Sequence, residues 1–303
     1  MSVKKIAILG CENSHADNFL ALIRDGKFTD VSVEGVYSEE TDAAGKLAAK
    51  FGVPVLSSPD ELVGKLDGVM ITARHGAKHF EFAKPYLADG IPMFIDKPIT
   101  CDEAEAVAFM REAKRQGVRL CGGSSCVYLD EVRRLKAAVE SGECGTLLGG
   151  TVVAPLFVNP QYGGFWFYAQ HLVEILLTIF GGDVRRVFAS KHSGSESVSF
   201  IAKYDTFDVT ATYTAGTIHY YAAAFGTKAL LSEPMTFTEE IFRHETDNMR
   251  SLLDGNPMKT TYEAFIRPVF VQSALLRSLE SGAWEEIHSY TLEETAGKEG
   301  KTR

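Results

Sequence analysis

Over about the first 120 residues, short apolar runs alternate with stretches of helical period, a rhythm that few architectures accept. Ile6-Ala7-Ile8-Leu9 is a compact apolar run closed by Gly10, as expected of a strand buried on both faces. Phe19, Leu20, Leu22 and Ile23 then follow helical spacing, and Gly26 supplies a stop. Val31, Val33 and Tyr37 alternate as a second strand, and Ala43, Ala44, Leu47, Ala48 and Phe51 form a stripe closed by Gly52. Val69-Met70-Ile71 and Met93-Phe94-Ile95 predict two more strands, around a helix that carries Phe80, Ala83, Tyr86 and Leu87 and ends at Gly90. Thr100-Cys101-Asp102-Glu103 has the form of a capping box, and Arg119-Leu120-Cys121 predicts one more strand. Strand–helix alternation at this spacing means right-handed βαβ units and a doubly wound parallel sheet covered on both faces.

The rhythm changes after Gly122. A helix near 129–140 precedes strand-like stretches at 151–158, 186–190, 198–204, 208–213 and 217–222, broken by a helix around 167–180. The last third, at 239–253 and 261–281, returns to helix. The expectation is an α/β domain over 1–122 and an α+β domain with a mainly antiparallel open sheet over 123–303, packed closely with no linker.

A formal net charge of -9 argues against a broad nucleic-acid footprint. Five widely spaced cysteines, an odd count, fit a reducing cytoplasm. Lys4-Lys5 before Ile6–Leu9 imitates a secretory leader, but the apolar run is shorter than the roughly 7–15 residues such a leader needs. The stretch 172–180 is interrupted by Glu174 and is far from the roughly 18 apolar residues of a membrane span. The expectation is a cytoplasmic protein with neither nucleic-acid nor membrane partners.

In an open parallel sheet, ligands bind beyond the carboxyl ends of the strands. The first such loop reads Gly10-Cys11-Glu12-Asn13-Ser14-His15, where a dinucleotide fingerprint would read G-x-G-x-x-G. The first glycine is present, while Glu12 and His15 occupy the other two positions. The second strand ends in Tyr37-Ser38-Glu39-Glu40, with no Arg or Lys before Gly45, which favours NAD over NADP; solvated surface charge is the alternative reading.

Asp96-Lys97-Pro98 resembles the Glu-Lys-Pro motif of the Gfo/Idh/MocA oxidoreductases, and Thr72-Ala73-Arg74-His75-Gly76-Ala77-Lys78-His79 resembles that family's loop after the fourth strand. Phe242 to Ser281, with Leu253-Asp254-Gly255-Asn256-Pro257, resembles its closing helices. The resemblance implies a Rossmann domain holding NAD or NADP, a second domain whose open sheet mediates homo-oligomerisation, and oxidation or reduction of a sugar, polyol or related small molecule. It implies that Gly10, Glu12, Asn13, Ser14, His15, Ser38, Glu39, Thr72, Ala73, Arg74, His75, His79, Asp96 and Lys97 surround the cofactor. Lys97 would hydrogen-bond the reacting oxygen, where alkoxide charge develops.

Further on, the family has Asp-x-Gly-x-His followed by another Asp. This chain reads Phe167-Tyr168-Ala169-Gln170-His171-Leu172-Val173-Glu174, so His171 is kept, Glu174 stands for the later acid, and the first aspartate is Phe167. Three arrangements remain open. His171 acts alone as base, oriented by Glu174; Tyr168 delivers the proton, its acidity raised by Lys97; or hydride transfer is lost. Aromatics Phe165 to Tyr168 otherwise read as a plug between the domains. His75 and His79 have i, i+4 spacing but no acid between them, so no metal site is expected. The leading reading is an NAD(P)-dependent dehydrogenase of a sugar or polyol; the alternatives are a non-catalytic dinucleotide- or sugar-binding relative and an enzyme that oxidises its substrate only transiently.

Overall fold

The computed structural model describes residues 3–293. Strand β1 (Lys4–Leu9) leads into helix α1 (Ser14–Arg24), followed by β2 (Val31–Tyr37), α2 (Thr41–Phe51), β3 (Gly68–Ile71) and α3 (Ala77–Ala83). The first region closes with β4 (Met93–Asp96), α4 (Glu103–Arg115) and β5 (Leu120–Gly123). These strands form a five-stranded sheet in the order β2-β1-β3-β4-β5, with every pair parallel. The order reverses between β2 and β3 across β1, which puts a crevice at the carboxyl end of β1.

Two details differ from the sequence expectation. Helix α3 gives way at Lys84 to a 3-10 turn that runs to Asp89, because Pro85 brings no N–H to an α-helical ladder. The N-cap of α4 is Asp102 rather than Thr100: Asp102 is extended and its Oδ1 accepts from Glu105 N at 2.8 Å, while the Thr100 hydroxyl donates to the Asp102 carbonyl at 2.9 Å. The carboxylate sits one step before the first helical residue, so it takes the free N–H groups.

Helix α5 (Asp130–Glu140) leads to β6 (Leu147–Leu156), and α6 (Trp166–Phe180) follows. The strands β7 (Arg186–Lys191), β8 (Val198–Lys203), β9 (Asp208–Ala215), β10 (Tyr220–Gly226) and β11 (Leu230–Met235) come next. Then come α7 (Glu240–Leu253), α8 (Tyr262–Ser281) and the short β12 (Glu285–Glu286). The second sheet has seven strands, ordered β11-β10-β6-β9-β8-β7-β12, antiparallel except for the β6–β9 pair. The sequence reading missed β11 and β12. Along β11 exposed and half-buried residues alternate with no buried face, so no apolar period marks it.

Helix α8 serves both sheets. Its Phe265, Ile266, Val269 and Phe270 join the core against Val69 and Ile95, while Val271, Ala274 and Leu275 join the core of the second sheet. Among the described residues no helix is long and apolar enough to cross a membrane.

Candidate active site

The β1 loop is built from interlocking carbonyls and side chains. Gly10 has φ +79°, and a Cβ there would lie 2.4 Å from the Ala73 backbone, so only glycine lets the loops after β1 and β3 meet. The Thr72 hydroxyl donates to the Gly10 carbonyl at 2.9 Å. Asn13 caps α1, its Oδ1 accepting from His15 N (2.9 Å) and Ala16 N (3.1 Å), and its amide donates back to the Thr72 carbonyl. Ser14 is exposed at the first turn.

Glu12 joins three strand ends. Its Oε2 accepts from the Ser38 hydroxyl at 2.7 Å, at the end of β2, and its Oε1 accepts from Arg74 N at 2.8 Å, beyond β3. Glu39 pairs with Lys78 at 2.8 Å, so a cation reaches the tip of β2 after all, delivered by α3. The Tyr162 hydroxyl, from the segment that crosses over from the second sheet, donates to Glu40 at 2.9 Å and accepts from Arg74 at 3.2 Å. The Arg74 guanidinium also lies 5.2 Å from the centre of the Tyr162 ring. His75 Nδ1 accepts from Ala77 N at 3.2 Å at the start of α3. His79, expected beside a cofactor, is instead fully buried beneath the loop, its Nε2 2.8 Å from the Ala73 carbonyl. It supports the loop from below because α3 turns position 79 inward, and burial lowers its pKa.

At the other end of the crevice Asp96 is buried, accepting from Lys97 N at 2.7 Å and lying 2.7 Å from His15 Nδ1. Burial pushes its carboxyl up, but His15 and Lys97 outweigh that and hold it below the ordinary value. Lys97 is only 8% exposed. Its Nζ lies 5.2 Å from the Phe167 ring centre, 5.7 Å from that of Tyr168, and 3.5 Å from the Phe167 carbonyl. Ring faces flank the ammonium at the position where the resemblance implies an aspartate.

His171 is buried, with Nδ1 2.6 Å from Ser124 Oγ and 3.2 Å from Cys126 Sγ. Both contacts fall on Nδ1, which leaves Nε2 for a ligand. Burial, with Lys97 and then His15, drives its pKa well below the ordinary histidine value, so the ring is neutral at pH 7. Glu174 does not orient it. That carboxyl accepts from Ser124 N at 3.0 Å and from the Gln170 amide, because α6 aims it one turn past His171 toward Gly123. Burial raises Glu174 to about 7, with Gln170 and Ser124 pulling the other way. Nor is the acidity of Tyr168 raised: Lys97 sits over its ring, its hydroxyl meets Tyr220 at 3.1 Å, and burial moves its pKa up.

Sequence reading missed Ser124, Tyr220 and Glu245. Glu245 on α7 is fully buried, with neither carboxyl oxygen partnered among the described residues, and burial, with Asp96 and Glu174 nearby, raises its pKa well above the ordinary value. The Gly122-Gly123-Ser124 run was the visible signal for Ser124: both glycines have positive φ, and β5 ends in a turn that presents the hydroxyl. Behind this cluster a cavity of about 700 Å³ opens between β5, α6, α7 and α8, with Glu174 in its wall and Lys97 outside it. Among the described residues no group of three or more His, Cys, Asp or Glu is placed to hold a metal.

Residues 4–124 match the family described as "Oxidoreductase family, NAD-binding Rossmann fold", GFO_IDH_MocA. Residues 4–124, the first sheet with its helices, are thus similar to the NAD-binding region of that family. The chain is 28% identical over 180 residues to inositol 2-dehydrogenase 1 of Mycolicibacterium vanbaalenii, covering 58% of this chain and 51% of that protein. It is likewise 28% identical over 170 residues to a putative UDP-kanosamine synthase oxidoreductase subunit of Amycolatopsis mediterranei, covering 55% of this chain and 45% of that one. The chain thus spans about half the length of the curated relatives it matches. Among solved structures, scyllo-inositol dehydrogenase from Lactobacillus casei with bound NAD(H) and scyllo-inositol superposes with a TM-score of 0.82 at 16% identity, over 95% of this chain and 100% of that one. GenD2 from gentamicin A biosynthesis, in complex with NAD, gives 0.83 at 17%, over 95% and 97%. At such identities the likeness establishes a shared fold over both sheets, and nothing beyond the fold.

Proposed function

We propose that the protein is an NAD-dependent dehydrogenase that moves a hydride between nicotinamide and a secondary alcohol or carbonyl carbon of a sugar or polyol. The observation that carries this reading is Lys97: a buried ammonium at the ligand edge of the sheet, held by ring faces and one long carbonyl contact, with hydrogens left to donate. A dinucleotide fits the residues present. The close approach at Gly10 keeps the crevice floor free of side chain, and the residues beyond β2 and β3 offer polar groups along its length.

The cofactor supplies the hydride acceptor or donor. Lys97 donates a hydrogen bond to the reacting oxygen and stabilises the alkoxide as the C–H bond breaks. His171 takes the hydroxyl proton on Nε2; its Nδ1–H then points at Ser124 Oγ, which fixes the tautomer the base requires. Phe167 and Tyr168 keep water from Lys97 and offer faces to the C–H side of a sugar ring. In this reading residues 1–122 hold the cofactor and 123–303 select the substrate; the protein works in the cytoplasm, as a homo-oligomer through the outer face of the second sheet.

The test is a titration with NADH and NADPH followed by nicotinamide fluorescence, then a screen of inositols, sugars and polyols with wild type and Lys97→Ala. Binding with Lys97-dependent turnover supports the proposal. Tight binding without turnover of any substrate would turn the reading toward a sensor, and absence of binding would sink it.

A further inference from the structure

We propose that Glu12 is the acceptor for the adenosine ribose hydroxyls of the cofactor, and so the residue that sets NAD against NADP. This rests on the dehydrogenase reading above and goes beyond it in naming the determinant. In a sheet of this kind, an acid at the end of the second strand binds the ribose diol. Here Ser38 terminates β2, and the carboxylates that follow are engaged elsewhere: Glu39 with Lys78 at 2.8 Å, Glu40 with the Tyr162 hydroxyl at 2.9 Å. Glu12 reaches the same place from the neighbouring loop.

The hydrogen bonds around it are directional. Ser38 Oγ accepts from Glu40 N at 3.0 Å and must therefore spend its own hydrogen on Glu12 Oε2, at 2.7 Å. Arg74 N fills one position on Oε1 at 2.8 Å. Each carboxylate oxygen has two lone pairs, so among the described residues each retains one acceptor position. Two free acceptors on one rigid, half-buried carboxylate at the tip of β2 match the two O–H donors of a vicinal diol. A 2′-phosphate in the same place brings no donor and adds like charge to the carboxylate.

The same placement explains how a carboxylate is accommodated where a phosphate-binding loop has glycine. The side chain is drawn sideways onto Ser38 and Arg74 N rather than standing in the path of the pyrophosphate.

The experiment measures Kd for NADH and NADPH by fluorescence on the full chain, for wild type, Glu12→Gln and Glu12→Asp, with thermal midpoints recorded without cofactor. Wild type is expected to bind NADH at least ~10²-fold more tightly than NADPH. Glu12→Gln loses the charge at constant shape, so NADH should weaken by ~10-fold while NADPH tightens. Glu12→Asp keeps the charge and should keep the preference for NADH. Changes in opposite directions for the two cofactors cannot come from partial unfolding. An unchanged NADH-to-NADPH ratio in Glu12→Gln, or equal binding of both by wild type, overturns the assignment while leaving the dehydrogenase reading intact. Binding of neither by wild type removes both.

Discussion

The two ends of the crevice hold charges of opposite sign by different means. At the loop after β1 a carboxylate, Glu12, stands where a dinucleotide fingerprint has glycine, and it is held by a hydroxyl and a backbone N–H from two other strand ends. At the head of α6, where the resemblance implies a carboxylate, Phe167 and Tyr168 cover Lys97 with ring faces. An anion in a crevice needs directed donors, which only several loops together provide. A cation is served by π faces that two consecutive aromatics supply. The cation is thus served from within one helical turn, while the anion draws on the ends of β1, β2 and β3 at once.

If the ring faces truly replace the acid, the ammonium remains the chief source of rate. Lys97→Ala should lower kcat/KM by ~10³, with NADH affinity within a few-fold of wild type in parallel titrations. A loss confined to KM would mean that Lys97 only binds substrate.

The next largest effect concerns the acid that did not move. Folded Glu174 is raised from its ordinary 4.5 to about 7, so between those values the folded state binds a proton that the unfolded chain has released. Stability is then greatest below the unfolded value, falls as pH rises toward about 7, and levels off, a change of ~3 kcal/mol for this group. Glu174→Gln should flatten that slope in urea unfolding at pH 5 and pH 8; an unaltered slope would show that other buried carboxyls, Glu245 first, carry it.

Smaller again is the contribution of the new orienter. Ser124→Ala should reduce kcat by ~10-fold through the mis-set tautomer of His171. Because burial and Lys97 hold the His171 pKa well below 6.5, its neutral, proton-accepting form persists there, and the acid limb of the wild-type rate profile should lie below pH 6.5. An acid limb above that value would assign the base elsewhere. Smallest is Phe167→Leu, which keeps an apolar side chain but removes a cation–π contact worth ~1 kcal/mol, a few-fold in kcat/KM. Phe167→Asp should bring no gain, since Ser124 already holds the ring; a clear increase would show the rings to be a poor substitute.

These partners also mark where the sequence stopped being readable. The first sheet announced itself through strand and helix periods, and Lys97 and His171 through motif position. Ser124 lies 47 residues from the imidazole it holds, and Tyr162 lies 122 from Glu40. Nothing periodic links a hydroxyl to such a partner; only the folded crossover brings them together. His79 was placed beside the cofactor by the resemblance of its loop, and a motif match says nothing of which way a side chain turns: α3 starts at Ala77, leaves His75 outside it and turns position 79 into the core. Glu12 was conspicuous in the sequence as a departure from the glycine fingerprint, and only the folded loops show it hydrogen-bonded to Ser38 and Arg74 N.

Gln170 has a consequence for how such a molecule turns over. Its side-chain oxygen accepts from Ile99 N at 3.1 Å and from Gln272 at 3.3 Å, both buried, while its amide reaches the half-buried Glu174. One buried amide thus fastens the chain beyond Lys97 to α6 and α8, and α8 is itself rooted in both cores. If a dinucleotide occupies the crevice as proposed, a spine fastened in this way predicts that exchange depends on the Tyr162 contacts with Arg74 and Glu40 more than on a swing of one half of the molecule against the other.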